Sequence, residues 1–241
     1  MSLTSYSKLI ECSQEIDVGM PVWPGNLDFS RCIFRNYEEH GYFTENYSMP
    51  AGTGTHIDSP GHMIKGGRLI HSLTLEELIC PGVVIDVTSK CDENPDYELS
   101  IEDLEAHELI HGRIPKGALV CMKTGWGRKF KDPKAYININ PNESHPICSL
   151  GAMHFPGFSN TLARFLCEQR EISGIGIDTL SLDKGLATSF DVHITILGND
   201  KYQIENMYLE DTPPSGFTFI SMPLRVKDAA EMSTRVMAIV N

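Results

Sequence analysis

Four short apolar, β-branched runs punctuate the chain: Val83-Val84-Ile85-Asp86-Val87, Ala118-Leu119-Val120-Cys121-Met122, Ile175-Gly176-Ile177 and Phe217-Thr218-Phe219-Ile220. Each has Gly or Pro beside it, as strands entering and leaving turns require, and each reads as a buried strand. Helical periodicity is confined to two places. Ser100 is placed to cap a helix over 101–111, with Glu102, Asp103 and Glu105 in the first turns, where the helix dipole favours acids, and Gly112 at its end. The second stretch runs from Ser159 to Gln169, with Leu162, Phe165 and Leu166 on one face. Strands and helices therefore alternate only partly. This predicts an α/β fold on a mixed sheet rather than a doubly wound parallel one.

No repeat, low-complexity tract or Gly/Ser linker divides the 241 residues, so residues 1–241 read as a single domain with room for a sizeable core. The segment between Gly125 and Gly157 is polar and Pro-rich, longer than an ordinary connection, and predicts a functional loop or a subunit contact. Asp92 to Glu98 reads as an exposed acidic turn.

Composition removes several function classes. With 20 Lys+Arg against 32 Asp+Glu the formal net charge is −12, and no basic stripe is visible, which argues against nucleic acid as a partner. No run of roughly 18 apolar residues offers a membrane span. Residues Met1 to Lys8 lack a basic region followed by an apolar stretch, so the expectation is no secretory signal and a cytoplasmic location. The seven cysteines (Cys12, Cys32, Cys80, Cys91, Cys121, Cys148 and Cys167) are scattered without a C-x-x-C pair and read as reduced thiols, several of them buried.

The chemistry is concentrated in Gly52-Thr53-Gly54-Thr55-His56-Ile57-Asp58-Ser59-Pro60-Gly61-His62. Residues two apart in an extended chain share a face, so His56 and Asp58 point into one site. Pro60-Gly61 then turns the chain and brings His62 back. Imidazole and carboxylate together suit Zn²⁺ or Mn²⁺. A single His near an Asp is commonly a hydrogen-bonded pair. Two His and an Asp within seven positions, among Gly and small residues, instead mark a metal or catalytic site.

Residues 54 to 62 match the fingerprint H-x-G-T-H-x-D-x-P-x-H at Gly54, Thr55, His56, Asp58, Pro60 and His62. On these residues the chain resembles the cyclase/kynurenine formamidase-like metal hydrolases, which include isatin hydrolase. Further segments resemble the family in the same order: Met20-Pro21-Val22-Trp23-Pro24-Gly25, Lys123-Thr124-Gly125-Trp126, Gly176-Ile177-Asp178-Thr179-Leu180-Ser181, His193 with Ile196-Leu197, and Ile204-Glu205-Asn206. The fingerprint's first His falls on Gly52.

The resemblance implies a compact α/β domain with a mixed, barrel-like core and flanking helices, assembled as a homodimer or larger homo-oligomer. It implies a zinc or manganese cofactor held by His56, Asp58, His193 and Glu205, with Asp58 bridging two sites, and His62 as the general acid/base. With Gly52 in place of the first His, the first site would comprise His56, Asp58 and Glu205 with waters. His71 or His154 would be the spatial replacements, and the number of metals, one or two, stays open. The implied activity is hydrolysis of a C–N bond in a small amide, an aryl formamide such as N-formylkynurenine in tryptophan breakdown or a cyclic amide such as isatin. Metal lowers the pKa of bound water to about 7 and polarises a carbonyl, and His moves a proton near neutral pH. The alternatives are a lactone hydrolase, a polyketide-cyclase-like enzyme, or an inactive small-molecule or metal-binding relative.

Beyond the fingerprint the residues leave choices. Trp23 either stacks on an aromatic substrate or packs. Lys123 either contacts substrate or sits ordered at a strand end. Asp178 and Ser181 either orient ligands or cap a turn. His40, His107, His111 and His145 read as solvated.

Overall fold

The structure is a computed structural model that describes residues 6–139 and 151–240. Twelve strands are present among them: β1 (Lys8–Glu11), β2 (Ser30–Arg35), β3 (Thr44–Ser48), β4 (His56–Asp58), β5 (Ile79–Asp86), β6 (Glu98–Leu99), β7 (Leu119–Lys123), β8 (Gly157–Phe158), β9 (Gly174–Ile177), β10 (Tyr202–Glu205), β11 (Phe217–Pro223) and β12 (Glu231–Val240). In the order β12-β11-β5-β7-β9-β10-β4 they form a 7-strand barrel, closed where β4 pairs back onto β12. The β5–β7, β7–β9 and β9–β10 pairings are parallel, the others antiparallel, so the sheet is mixed as predicted. β1 extends the sheet along β12, and β2 with β3 forms a separate hairpin.

The central strands are apolar at nearly every position because both of their faces are covered. On β7, Leu119 and Cys121 point into the barrel with Val84, Ile204, Phe219 and Val236. Val120 and Met122 point outward, among Val83, Leu104, Leu162 and Ile196. β9 carries a Gly where its strand must pass close to others. A Cβ on Gly176 would lie 2.6 Å from Met207 Sδ and 2.8 Å from Cys121 Sγ.

Helices cover the outer face: α3 (Thr88–Glu93), α4 (Ile101–His111), α6 (Asn160–Gln169) and α7 (Asp191–Gly198), with the short α1 (Tyr37–His40), α2 (Leu75–Leu78) and α5 (Pro133–Ile137) at the periphery. Both expected helices form. Ser100 and Asp103 cap α4 reciprocally, and the chain leaves it at Gly112 with φ 86°. Ser159 is the cap of α6 rather than its first turn, accepting from Leu162 N–H. One expectation is reversed on α4. His107 is buried, because its turn faces the barrel rather than water, while His40 and His111 are exposed; His145 lies outside the described residues.

The segment expected as a loop or contact between Gly125 and Gly157 is in part a supporting core. Trp126, Phe130 and Tyr136 pack with Met20, Met153, Phe155 and Leu180. Trp126 Nε1 donates to Tyr136 O at 2.8 Å, and the Tyr136 hydroxyl donates to Asn206 Oδ1 at 2.8 Å. Its aromatics follow neither a strand nor a helix period, which is why the segment reads as loop. Of the cysteines, Cys12, Cys80, Cys91 and Cys121 are buried free thiols, Cys32 and Cys167 are also free, and Cys148 lies outside the described residues. Among the described residues no helix is long and apolar enough to cross a membrane.

Candidate active site

β4 is three residues long and is held on both sides. Its register sets His56 opposite Glu205 on β10, and Asp58 opposite Glu231 on β12. Directly paired residues of antiparallel strands project to the same side, with Cβ atoms about 4.5–5.5 Å apart. The pleat sends Ile57, Ile204 and Met232 into the barrel core. His56, Asp58, Glu205 and Glu231 consequently share the outer face. Ser59 anchors the end of β4 through Ser59 Oγ, which donates to Ala230 O at 2.6 Å. A 3₁₀ turn at Pro60–His62 then returns His62 toward the same point.

α7 supplies His193 from above. His193 Nε2 lies 3.1 Å from Glu205 Oε1 and 3.9 Å from Asp58 Oδ2. His56 Nε2 lies 3.3 Å from Glu205 Oε2 and 3.6 Å from Asp58 Oδ1. Both rings are fixed from behind: His56 Nδ1 by Gly54 O at 2.9 Å, His193 Nδ1 by Asp183 Oδ2 at 2.6 Å. With Nδ1 donating in this way, each imidazole turns its Nε2 toward the carboxylates. Two groups of side chains can each bring their ligand atoms within 4.8 Å of one another: His56, Asp58 and Glu231, and Asp58, His193 and Glu205. Asp58 belongs to both.

All four predicted ligands are buried, His56 at 6% exposure, Asp58 at 1%, His193 at 4% and Glu205 at 6%. Burial alone would lower the pKa of both imidazoles. The carboxylates outweigh it, so that His56 (beside Asp58 and Glu205) and His193 (beside Asp183 and Glu205) are raised to about 10. Burial would raise Glu205, but the two imidazoles hold it down at about 2. Burial and the charge of Asp58 raise Glu231. Such a cluster demands positive charge. The donor set fits a divalent metal on a direct observation: Asp58 Oδ1 is buried yet accepts no hydrogen bond among the described residues, and Glu205 Oε1 faces only His193 Nε2 at 3.1 Å. Unpaired buried carboxylate oxygens are costly unless a cation meets them.

A cavity of about 360 Å³ opens over this cluster. Trp23 forms one wall, its ring centroid 5.9 Å from that of Phe190, and Asn26, Met63 and Leu180 contribute to the rest. His62 lines the same cavity, half-buried, with Nδ1 3.8 Å from Glu231 Oε2 and its ring 6.3 Å from that of His193.

The structure thus brings together His56, Asp58, His62, His193, Glu205 and Trp23. Other choices that the sequence left open are now separated. Lys123 does not reach the cavity, because its ammonium is held by Asp86 Oδ2 and Glu210 O, each at 3.1 Å. Asp178 ties the end of β9 to the end of β7 by accepting from Thr124 and Gly125, whereas Ser181 does line the cavity. Neither His71 nor His154 replaces the missing His. His71 Nδ1 accepts from Asp228 N–H, and His154 pairs with Asp96. Glu231, Asp183 and Gln203 were not visible in the sequence; Gln203 Nε2 donates to Asp58 Oδ2 at 2.9 Å. No local motif marks them, since each acts through strand register or a loop brought up from a distant part of the chain.

Comparison with known proteins agrees with this fold. The Cyclase family model matches residues 10–184. The isatin hydrolase of Roseibium aggregatum is 25% identical over 256 residues, spanning 99% of this chain and 94% of that protein. The kynurenine formamidase of Salinibacter ruber is 23% identical over 223 residues, spanning 90% and 91%. Among solved structures, isatin hydrolase A from Ralstonia solanacearum superposes with a TM-score of 0.89 at 27% identity, covering 97% of this chain and 92% of that one.

Proposed function

The chain belongs to the Cyclase family, and from that membership we propose that it is a metal-dependent amidohydrolase cleaving a C–N bond of a small aryl formamide or cyclic amide. The observation that carries this reading is the convergence of two imidazole Nε2 atoms on carboxylates whose buried oxygens Asp58 Oδ1 and Glu205 Oε1 have no other partner.

His56, Asp58, His193 and Glu205 are the residues that would hold the metal, zinc or manganese, with Asp58 shared between the two groups. When bound, such an ion acts as a Lewis acid on a carbonyl and lowers the pKa of water to about 7. The chain's own residues do the rest. Gly54 O and Asp183 fix the rotation and tautomer of the two imidazoles. Trp23 and Phe190 offer an aromatic wall against which a planar ring stacks in a fixed orientation. His62 faces Glu231 through Nδ1, which leaves Nε2 to take a proton at the attacking side and return it to the departing nitrogen. The apolar rim formed by Met63 and Leu180 thins the water around the reacting carbonyl.

Elemental mass spectrometry of the purified protein beside Asp58→Ala tests the metal assignment. Zinc or manganese lost in the variant supports it, and retention at full stoichiometry rejects Asp58 as a ligand. Turnover is then screened on N-formylkynurenine, isatin and lactones. His62→Ala is expected to keep its metal and lose about 10²–10⁴-fold in rate, and an unchanged rate removes His62 from the mechanism.

Self-association completes the proposal. The β2–β3 hairpin and the connection between its strands carry Ile33, Phe34, Tyr37, Tyr42, Phe43 and Tyr47, each exposed, apolar area suited to burial against a second copy. Light scattering behind size exclusion reads the resulting mass.

A further inference from the structure

Gly52 stands where the fingerprint carries its first His, and its neighbourhood explains the glycine. A Cβ built on residue 52 would lie 2.7 Å from Glu231 Oε2, 3.2 Å from Glu231 Cδ and 3.2 Å from His56 Cδ2. Gly52 is not among the residues with positive φ, so its backbone does not call for glycine. In this conformation the Glu231 carboxylate, the far end of a flexible side chain, occupies the volume in which a side chain at position 52 would begin, so a larger residue there requires Glu231 to swing away.

We propose that Glu231 is a metal ligand of this protein, reaching from β12 into the position vacated at Gly52 and completing a site with His56 and Asp58. This rests on the metal-dependent reading above and deepens it. Three observations meet here. The β4–β12 register sets Glu231 directly opposite Asp58. A carboxylate oxygen of Glu231 lies within 4.8 Å of ligand atoms of both His56 and Asp58. Asp58 Oδ1, nine-tenths or more buried and without a hydrogen bond, is aimed into the same group. Glu231 itself accepts no hydrogen bond among the described residues, and His62 Nδ1 lies 3.8 Å from its Oε2.

The exchange changes the chemistry of the centre. An imidazole gives way to a second carboxylate, leaving one nitrogen and two carboxylates in the first group. The whole centre then holds two imidazoles and three carboxylates, Asp58, Glu205 and Glu231. Carboxylate-rich sites suit Mn²⁺ better than imidazole-rich ones, although Zn²⁺ keeps the higher raw affinity. The Zn²⁺-over-Mn²⁺ preference of the first site is therefore narrower than an added imidazole would make it. Glu231 also couples the centre to His62, since one carboxylate faces both.

The test uses metal-stripped full-length protein titrated with Mn²⁺ and with Zn²⁺ by calorimetry, and Mn²⁺ electron paramagnetic resonance on the loaded protein. Wild type is expected to bind two ions, with the spectrum of a coupled Mn²⁺ pair. Glu231→Gln, nearly the same size, is expected to weaken the first ion by more than about 100-fold, above the range of about 10–100-fold that loss of a supporting residue costs, and to leave a single-ion spectrum. Gly52→His with Glu231→Ser restores an imidazole in the same space. It is expected to recover the ion of the first site and to raise the Zn²⁺-over-Mn²⁺ affinity ratio above that of wild type. Stoichiometry and affinities unchanged in Glu231→Gln overturn the proposal. One ion per chain, lost in His193→Ala but unaffected in Glu231→Gln, overturns it too while leaving the hydrolase reading in place. No ion in wild type overturns both.

Discussion

Asp183 is the residue whose removal most directly tests how the centre is organised. It performs two tasks at once. Its Oδ1 accepts from Val192 N–H at 2.8 Å, and its Oδ2 accepts from His193 N–H at 3.3 Å and from His193 Nδ1 at 2.6 Å. The same carboxylate therefore satisfies the first turn of α7, where Phe190 offers no side-chain cap, and orients the His193 ring. Asp183→Asn keeps the shape but turns one oxygen into an NH₂ donor facing another donor. Loss of such a ligand-orienting partner costs about 10–100-fold in metal affinity, or about 1.4–2.7 kcal/mol. The unsatisfied buried donor costs the fold about 1–3 kcal/mol, and at this chain length each kcal/mol moves Tm by about 2–4 °C. Calorimetric titration of stripped protein with Mn²⁺ gives the affinity, and a thermal melt in chelator gives the fold term separately. A variant that melts lower yet binds Mn²⁺ within twofold of wild type refutes the reasoning, because the ring would then be oriented without Asp183 or would not be a ligand.

Three further outcomes are expected. Chelation should destabilise the protein: an ion at about 100 times its Kd adds about 2.7 kcal/mol, so stripping lowers Tm by about 5–11 °C, and a melt indifferent to chelator and to added Mn²⁺ or Zn²⁺ contradicts the metal centre. Tyr136→Phe removes a hydroxyl that donates to Asn206 Oδ1 and Asp178 O, and should cost about 1–3 kcal/mol in urea unfolding; a cost near zero means that this network does not brace the site. Glu77 clamps Arg68, which follows the His62 turn, with Arg68 Nη2 donating to Glu77 Oε1 at 2.7 Å. Burial would raise Glu77, but Arg68 and the Thr74 N–H lower it from 4.5 to about 2. A lowered folded pKa gives stability that is full above about 4.5 and lost as pH falls through about 2. Between those limits wild type should lose stability relative to Glu77→Gln, by an amount that solvent screening keeps modest; urea midpoints that run parallel across the window refute it.

Local chemistry carried a large part of the molecule. The strands at 83–87, 118–122, 175–177 and 217–220 were legible because burial on both faces leaves an unbroken apolar run. The helix at 101–111 was legible because Ser100 is a cap residue whose partner lies three positions on, and that at 159–169 because Leu162, Phe165 and Leu166 share one face. The barrel itself was not. β12 alternates between inward Met232, Val236 and Ala238 and outward residues, but nothing local says that it bends to meet both β11 and β4 and closes the sheet. The support beneath the site, Trp126, Tyr136 and Phe155, was hidden in a polar stretch whose aromatics have no period.

The same division runs through the site. His56 and Asp58 are two residues apart on one short strand, and His62 follows a Pro-Gly turn, so backbone periodicity alone placed three functional side chains together. Glu205 and His193 were found only through resemblance. Glu231 and Asp183 were beyond reach, because a carboxylate 173 residues after Asp58 becomes its neighbour only when β12 pairs with β4 in one particular register. Periodicity acts between residues close in the chain and is written into the order of amino acids. Register, closure and the exchange of Glu231 for a side chain at position 52 arise from packing between distant segments, and they exist only once the barrel has formed.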